Sequence, residues 1–435
     1  MEWWGYLSII LVLLTAFFLS GLPVAFCFML FNLIAIYFWM GGGDSLSLLS
    51  LSAFASLSSF PLVAVPLFIL MGELLFMSGV VSVVLDAATK IGAGVRGSLS
   101  FVAVGAGTVF GTMSGSAVSG VAVLGSTLAP EMARRGYDKE MALGPILGSG
   151  CLAMIIPPSV LAVLLGSLGQ IPVSDLLIAG IFPGLLLASL YAGWILLRIK
   201  MKPSLAPVED AGTVSFAERL RAFASILPIL VITLGIWSVL LFGIATPSEA
   251  AAVGVLAAIA VIAYYRRLSW AVLGNALMAT VKITAMVFMI IASASAFGQI
   301  LAFTGVSAKL VTFVTESGLS PIWVLLGMLL TAIILGTFMD ELALLLISIP
   351  IYMPIVAALK FDTVWFGLLM LITIEIATIS PPYGLALFVL KGVVPSASMG
   401  DVWKASIAYM GLSIIAMAVI IIYPPIATWL PSVMR

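Results

Sequence analysis

Ser114, Gly115 and Ser116 set two hydroxyls around a position with no side chain, inside an otherwise apolar stretch. They belong to the run Gly111-Thr-Met-Ser-Gly-Ser-Ala-Val-Ser119, and a second polar break follows at Met154-Ile-Ile-Pro-Pro-Ser159. Two further breaks stand about 225 residues on, as Gly336-Thr-Phe-Met-Asp-Glu341 and Thr378-Ile-Ser-Pro-Pro-Tyr383. Unwound polar backbone is tolerated at membrane depth only where protein buries it or it lines a cavity. A helix that ends there offers bare carbonyls, which suit a hard cation such as Na⁺. A helix that starts there aims N–H groups and partial positive charge inward, which suits a carboxylate. One cation site is therefore expected from Ser114, Gly115 and Ser116 with the carbonyls of Met154, Ile155 and Ile156, because Pro157 and Pro158 have no N–H to bond those carbonyls. A second is expected from Gly336, Thr337 and Asp340 with Thr378, Ile379 and Ser380. Asp340 is the sharpest candidate, since a carboxylate at that depth costs roughly 3 kcal/mol on insertion scales unless paired. Ser116, Ser119, Pro157, Ser159, Pro381 and Tyr383 are expected nearest the solute. Packing is the plain alternative for any one Gly or Ser of these runs; the four breaks taken together favour a transport site.

Elsewhere the acids are few. Glu73 lies mid-span and Glu375 just before the last break; these and Glu341 read equally as coupling groups or as structural partners of hydroxyls. Glu249 follows Pro247 at a helix start and reads as a cap. Gly105, Gly107 and Gly111 have the spacing of a dinucleotide loop, but no strand precedes them. The chain has no histidine, which removes histidine bases, relays and metal ligands. Cys27 and Cys151 read as small core residues. Neither a metalloprotease motif nor a matched pair of intramembrane aspartates is present, so an intramembrane hydrolase has no obvious players and the chain reads as a non-enzyme without a cofactor.

The elements that position these breaks are membrane helices. Of 435 residues 63% are hydrophobic and 8% charged, which marks an all-α polytopic membrane protein. The apolar runs lack the alternation of a barrel. Trp3 and Trp4 read as interface anchors rather than part of a cleaved leader. Residues 3–39 would reach about 55 Å as one helix, against a core of about 30 Å, so Ser20-Gly-Leu-Pro23 divides them into 3–19 and 23–39. An interfacial helix over 45–59 and a span over 61–79 follow. A re-entrant hairpin occupies about 97–135 with its tip at 112–117, a broken helix about 140–168, and a last span 175–197. Residues 198–225 form a polar linker. The order then repeats: spans 226–243 and 247–264, an interfacial piece 268–281, a span 283–303, a hairpin about 321–358 with its tip at 336–341, a broken helix about 363–390 and a span 405–423. Residues 1–197 and 226–435 are thus two repeats of five spans and one hairpin each. Gly79 pairs with Gly305, Gly111 with Gly336, Pro157 with Pro381 and Pro172 with Pro395, an offset held between 223 and 226. Five is odd, so the repeats are expected to be inverted. With both termini periplasmic, all 18 Lys and Arg residues except Lys309, Lys360 and Arg435 fall on the cytoplasmic side, a strong positive-inside bias.

Leu22-Pro-Val-Ala25, Phe110-Gly-Thr-Met-Ser-Gly-Ser-Ala117, Ile155-Ile-Pro-Pro-Ser159, Thr246-Pro-Ser-Glu-Ala250, Gly336-Thr-Phe-Met-Asp340 and Ser380-Pro-Pro-Tyr-Gly384 together resemble the large membrane subunit of TRAP (tripartite ATP-independent periplasmic) transporters, the DctM-like proteins. The likeness runs over essentially the whole chain. It implies an inner-membrane symporter driven by Na⁺ through an elevator motion. It also implies a separate small four-helix membrane subunit and a periplasmic solute-binding protein that delivers an organic acid: a C4-dicarboxylate, sialic acid, or a keto or sugar acid. In that family the hairpin tips and broken helices are associated with Na⁺, which corresponds here to Ser114, Ser116 and Asp340. A stand-alone Na⁺/anion symporter, a Na⁺/H⁺ exchanger or a channel built on similar repeats is the competing reading.

Overall fold

The computed structural model describes residues 2–207 and 214–434, and every side chain in them except those of Asp44, Phe110 and residues 112–114. The described residues contain helices and turns and no strand, and eight of their segments are long and apolar enough to cross a membrane.

α1 (Trp3–Leu19) and α2 (Val24–Trp39) part where the sequence predicts, because Gly21 takes a left-handed φ of 78° and Pro23 supplies the start of α2. After α3 (Ser47–Leu57) and α4 (Ala64–Met77), Gly79 turns the chain with φ 68° into α5 (Val80–Gly92). The sequence assigns no element to residues 80–89. They form a helix because Val80, Val84, Leu85 and Ala87 bury one face while Asp86 and Lys90 keep the other in solvent. The hairpin is α6 (Ser98–Ser114) and α7 (Ala117–Arg134), the broken helix α8 (Lys139–Cys151) and α9 (Val160–Gly169). The expected last span divides at Gly180 into α10 (Val173–Ala179) and α11 (Ile181–Met201).

α12 (Phe216–Leu241) and α13 (Pro247–Tyr264) both open on capping boxes, Ser215 with Glu218 and Thr246 with Glu249. Glu249 is therefore the helix cap its position suggested. The largest departure is α14, one helix of 34 residues over Trp270–Phe303. An interfacial piece at 268–281 followed by a separate span is not what forms. The first half has Ser58-Ser-Phe-Pro61 between α3 and α4, whereas residues 278–286 hold no Gly or Pro, so the i→i−4 bonds continue past the exposed Lys282. Gly305, φ 71°, then leads into α15 (Val306–Glu316), the counterpart of α5 and likewise unassigned from sequence.

α16 (Pro321–Phe338) and α17 (Glu341–Ala358) make the second hairpin, α18 (Thr363–Thr378) and α19 (Leu385–Val393) the second broken helix. α20 (Met399–Ile422) and the short α21 (Pro425–Val433) complete the chain. The starts of α6, α7, α8 and α9 at residues 98, 117, 139 and 160 recur in α16 to α19 at 321, 341, 363 and 385. The two broken helices form the centre: Met141–Cys151 and Val364–Thr378 are buried without exception. Glycines let neighbours reach α8 closely. A Cβ on Gly148 would lie 2.5 Å from the Tyr409 ring, and one on Gly120 of α7 would lie 2.7 Å from the Gly150 carbonyl oxygen.

Candidate functional site

Both tips are tighter than the sequence suggests. Only Gly115 and Ser116 leave the helical path at the first, Met339 and Asp340 at the second. Gly115 ends α6 with φ 59°, and Ser116 caps α7 by accepting from the Ser119 N–H. Asp340 caps α17 by accepting from the Ala343 N–H at 2.7 Å. The Ser114 side chain lies outside the described residues.

Each tip rests on the break that follows it. A Cβ on Gly111 would be 2.9 Å from the Ala153 nitrogen, and one on Gly115 would be 2.8 Å from Val160 Cγ2. Ser159 caps α9, accepting from the Ala162 N–H while donating to the Met154 carbonyl at 2.6 Å. At the second site a Cβ on Gly336 would be 2.7 Å from that of Ala377. Thr337, Thr378 and Ser380 donate their hydroxyl protons to the carbonyls of Ile333, Ile374 and Ile376, which leaves each oxygen with lone pairs. The X-Pro bonds Pro157–Pro158 and Pro381–Pro382 are cis. Among the described residues no hydrogen bond reaches the carbonyls of Ile155, Ile156, Thr378 or Ile379. Their directions differ. The Ile155 carbonyl is set against Gly180, 2.0 Å from where a Cβ would be, and Ile156 packs its side chain on Gly184. The Thr378 carbonyl points into its own turn, 2.5 Å from where a Cβ on Gly384 would be. The Pro157 carbonyl accepts from the Trp237 indole at 2.7 Å. Tyr383 is 56% exposed, stacked on Phe388 at 6.3 Å.

A cavity of 830 Å³ joins the two tips. Gly115, Ser116 and Ser119 line it from one hairpin, Asp340, Glu341 and Leu342 from the other. Val160 and Leu161 at the start of α9 and Leu385 at the start of α19 line it as well. Four helix N-termini, those of α7, α9, α17 and α19, therefore converge on one space. Met154, Ile155, Ile156, Gly336, Thr337, Thr378, Ile379 and Ser380 are not among its described lining residues, nor are Pro157, Ser159, Pro381 and Tyr383. The remaining lining comes from Leu22–Phe26, from Ile69 and Glu73 of α4, and from α14 between 283 and 290. From sequence Glu73 reads as a coupling group or a structural partner, whereas Leu22-Pro23 reads as a helix break only and nothing local ties it or α14 to the two tips.

Glu375 has a separate place. Fully buried, it accepts from the Tyr191 hydroxyl at 2.9 Å, and that hydroxyl lies 2.7 Å from the Ser413 hydroxyl. The carboxyl thus ties α18 to α11 and, through the Tyr191 hydroxyl, to α20, and it is not among the described lining of the cavity.

Residues 11–426 match the family model described as "Tripartite ATP-independent periplasmic transporter, DctM component". The chain is 32% identical over 392 residues to the C4-dicarboxylate TRAP transporter large permease protein DctM of Pseudomonas aeruginosa, covering 89% of this chain and 90% of that one. It is 28% identical over 431 residues to the sialic acid TRAP transporter permease protein SiaT of Haemophilus influenzae, covering 99% of this chain and 68% of that one. Among solved structures the Alcanivorax borkumensis YdaH transporter shares the fold, with a TM-score of 0.65 at 14% identity over 89% of this chain and 91% of that one. The chain belongs to the DctM component family of tripartite ATP-independent periplasmic transporters and is a multi-pass membrane permease subunit.

Proposed function

We propose that this subunit imports a small organic acid together with Na⁺, in the bacterial inner membrane, after a periplasmic binding protein has delivered the acid. A small four-helix membrane subunit completes the assembly. The convergence of four helix N-termini on one cavity carries this reading. Each such end brings unpaired N–H groups and about half a positive charge, so an anion is held there without a basic side chain. The Ile156 and Ile379 carbonyls and the Thr337, Thr378 and Ser380 hydroxyls are the oxygens offered to Na⁺, with Asp340 as the anionic ligand of the second site. The recurrence of helix starts at offsets of 223 to 225 supports two repeats, and the charge distribution supports their inversion, with both termini periplasmic. The hairpins and broken helices then move as one body against α1–α5 and α12–α15, an elevator. Moving one charge through 100 mV is worth about 2.3 kcal/mol. Two Na⁺ would only neutralise a dianion, so the membrane potential assists uptake when more than two accompany a dianion or when two accompany a monoanion.

Proteoliposomes holding both membrane subunits test this. Acid uptake is expected to require an inward Na⁺ gradient and added binding protein, and to quicken with a negative interior. Uptake without the binding protein would identify a stand-alone symporter instead, and Na⁺-driven proton movement without solute an exchanger.

A further inference from the structure

The lining of the central cavity is chemically one-sided. Among the described residues Asp340, Glu341 and Glu73 are its charged members, and no Lys or Arg contributes to it. Asp340 is already engaged as a helix cap. Glu341 Oε2 is buried without a hydrogen-bond partner. Glu73 comes from α4, outside the hairpin tips, and shares the lining with apolar residues such as Ile69, Met286 and Ile290. Among the described residues no hydrogen bond or ion pair engages the Glu73 carboxyl, although it borders the cavity. Half-buried at the cavity wall with no donor from the protein, this carboxyl is open to donors carried by a bound solute.

Taking this cavity as the solute's site, we infer that the transported acid carries one carboxylate and that its far end bears hydroxyl or ammonium donors. The carboxylate goes to the helix N-termini and the donors go to Glu73. A C4-dicarboxylate is expected to bind less well, because its second carboxylate would meet the Glu73 carboxyl with no basic side chain in the described lining. A site built to hydrogen-bond one end of a ligand rejects the analogue that leaves its polar groups unpaired, and like charges brought together add to the discrimination.

A four-carbon series isolates the far end: succinate, 4-hydroxybutyrate and 4-aminobutyrate share a length and one carboxylate. Each is titrated in Na⁺ against the purified complex of both membrane subunits, without binding protein, with thermal stabilisation as the readout. Either the hydroxy acid or the amino acid is expected to half-saturate at about tenfold lower concentration than succinate; which of the two leads distinguishes hydroxyl from ammonium recognition. In Glu73→Gln the preference over succinate is expected to fall to about threefold or less. The wild-type series stands whether or not that variant folds. Succinate equal to or better than both analogues overturns this inference while leaving Na⁺-coupled acid transport intact, as does an unchanged preference in a folded Glu73→Gln. No response to any of the three overturns the reading of the cavity as an acid site.

Discussion

Asp340→Ala is expected to abolish Na⁺-dependent uptake while the protein still inserts and assembles. Asp340 stands at the tip of the second hairpin and borders the central cavity. It has two duties that separate cleanly. As the cap of α17 it accepts from Ala343 at 2.7 Å, and losing such a cap costs about 1 kcal/mol, too little to unfold a helix whose next turns are buried. As the proposed anionic ligand in a space whose described lining holds no basic residue, it is the group that a bound cation would neutralise, at a depth where an unpaired carboxylate costs roughly 3 kcal/mol. Asp340→Asn keeps the cap, because Asn serves that position as well as Asp, and removes the charge. Both variants are expected to lose Na⁺-driven uptake, and only Ala is expected to lower the melting temperature. Uptake by Asp340→Asn with wild-type Na⁺ dependence would remove Asp340 from the cation site.

The second large effect is expected at Gly115. Its φ of 59° is left-handed, which costs a non-glycine residue roughly 1–2 kcal/mol. A Cβ there would also lie 2.8 Å from Val160 Cγ2, and overpacking of this kind typically costs about 1–3 kcal/mol. Gly115→Val forces the tip off the start of α9, so Ser116 and the N-terminus of α7 no longer meet the cavity. Uptake is expected to fall by tenfold or more, since about 1.4 kcal/mol already makes a factor of ten. The hairpin stems stay packed on α8, so membrane insertion is retained. Uptake measured at matched protein levels checks this; a rate within twofold of wild type would mean that the tip geometry does not bear on transport.

The parts of the molecule that sequence reasoning reaches best are those where backbone chemistry forces a break. Gly21 with Pro23, the paired prolines at 157–158 and 381–382, and the glycine turns at 79 and 305 each have a local cause, and the helix ends fall beside them. Amphipathic helices are harder to read in an apolar chain. α5 and α15 are 13 and 11 residues long, too short to stand out as spans. α14 shows the opposite difficulty: Lys282 suggests a boundary, but a charge on an exposed face does not end a helix. At the site, the tips and Asp340 are visible in sequence because their residue types are anomalous for their surroundings. The partners that make them a site are not. Glu73 reaches the cavity of Asp340 through the packing of α4, and Tyr191 meets Glu375 across 184 residues, contacts that no local pattern encodes.

In the proposed transporter the two hairpins enter the membrane from opposite faces and meet at one anion- and cation-binding space. Arg134 ends the first hairpin and Lys360 follows the second, both at exposed positions, while the native cysteines Cys27 and Cys151 are buried. With Arg134→Cys and Lys360→Cys made singly, a membrane-impermeant maleimide applied to spheroplasts is expected to label position 360 and to reach position 134 only after the membrane is opened. Labelling of both positions from the same side would contradict the inverted arrangement and, with it, the convergence of the two tips as a transport site.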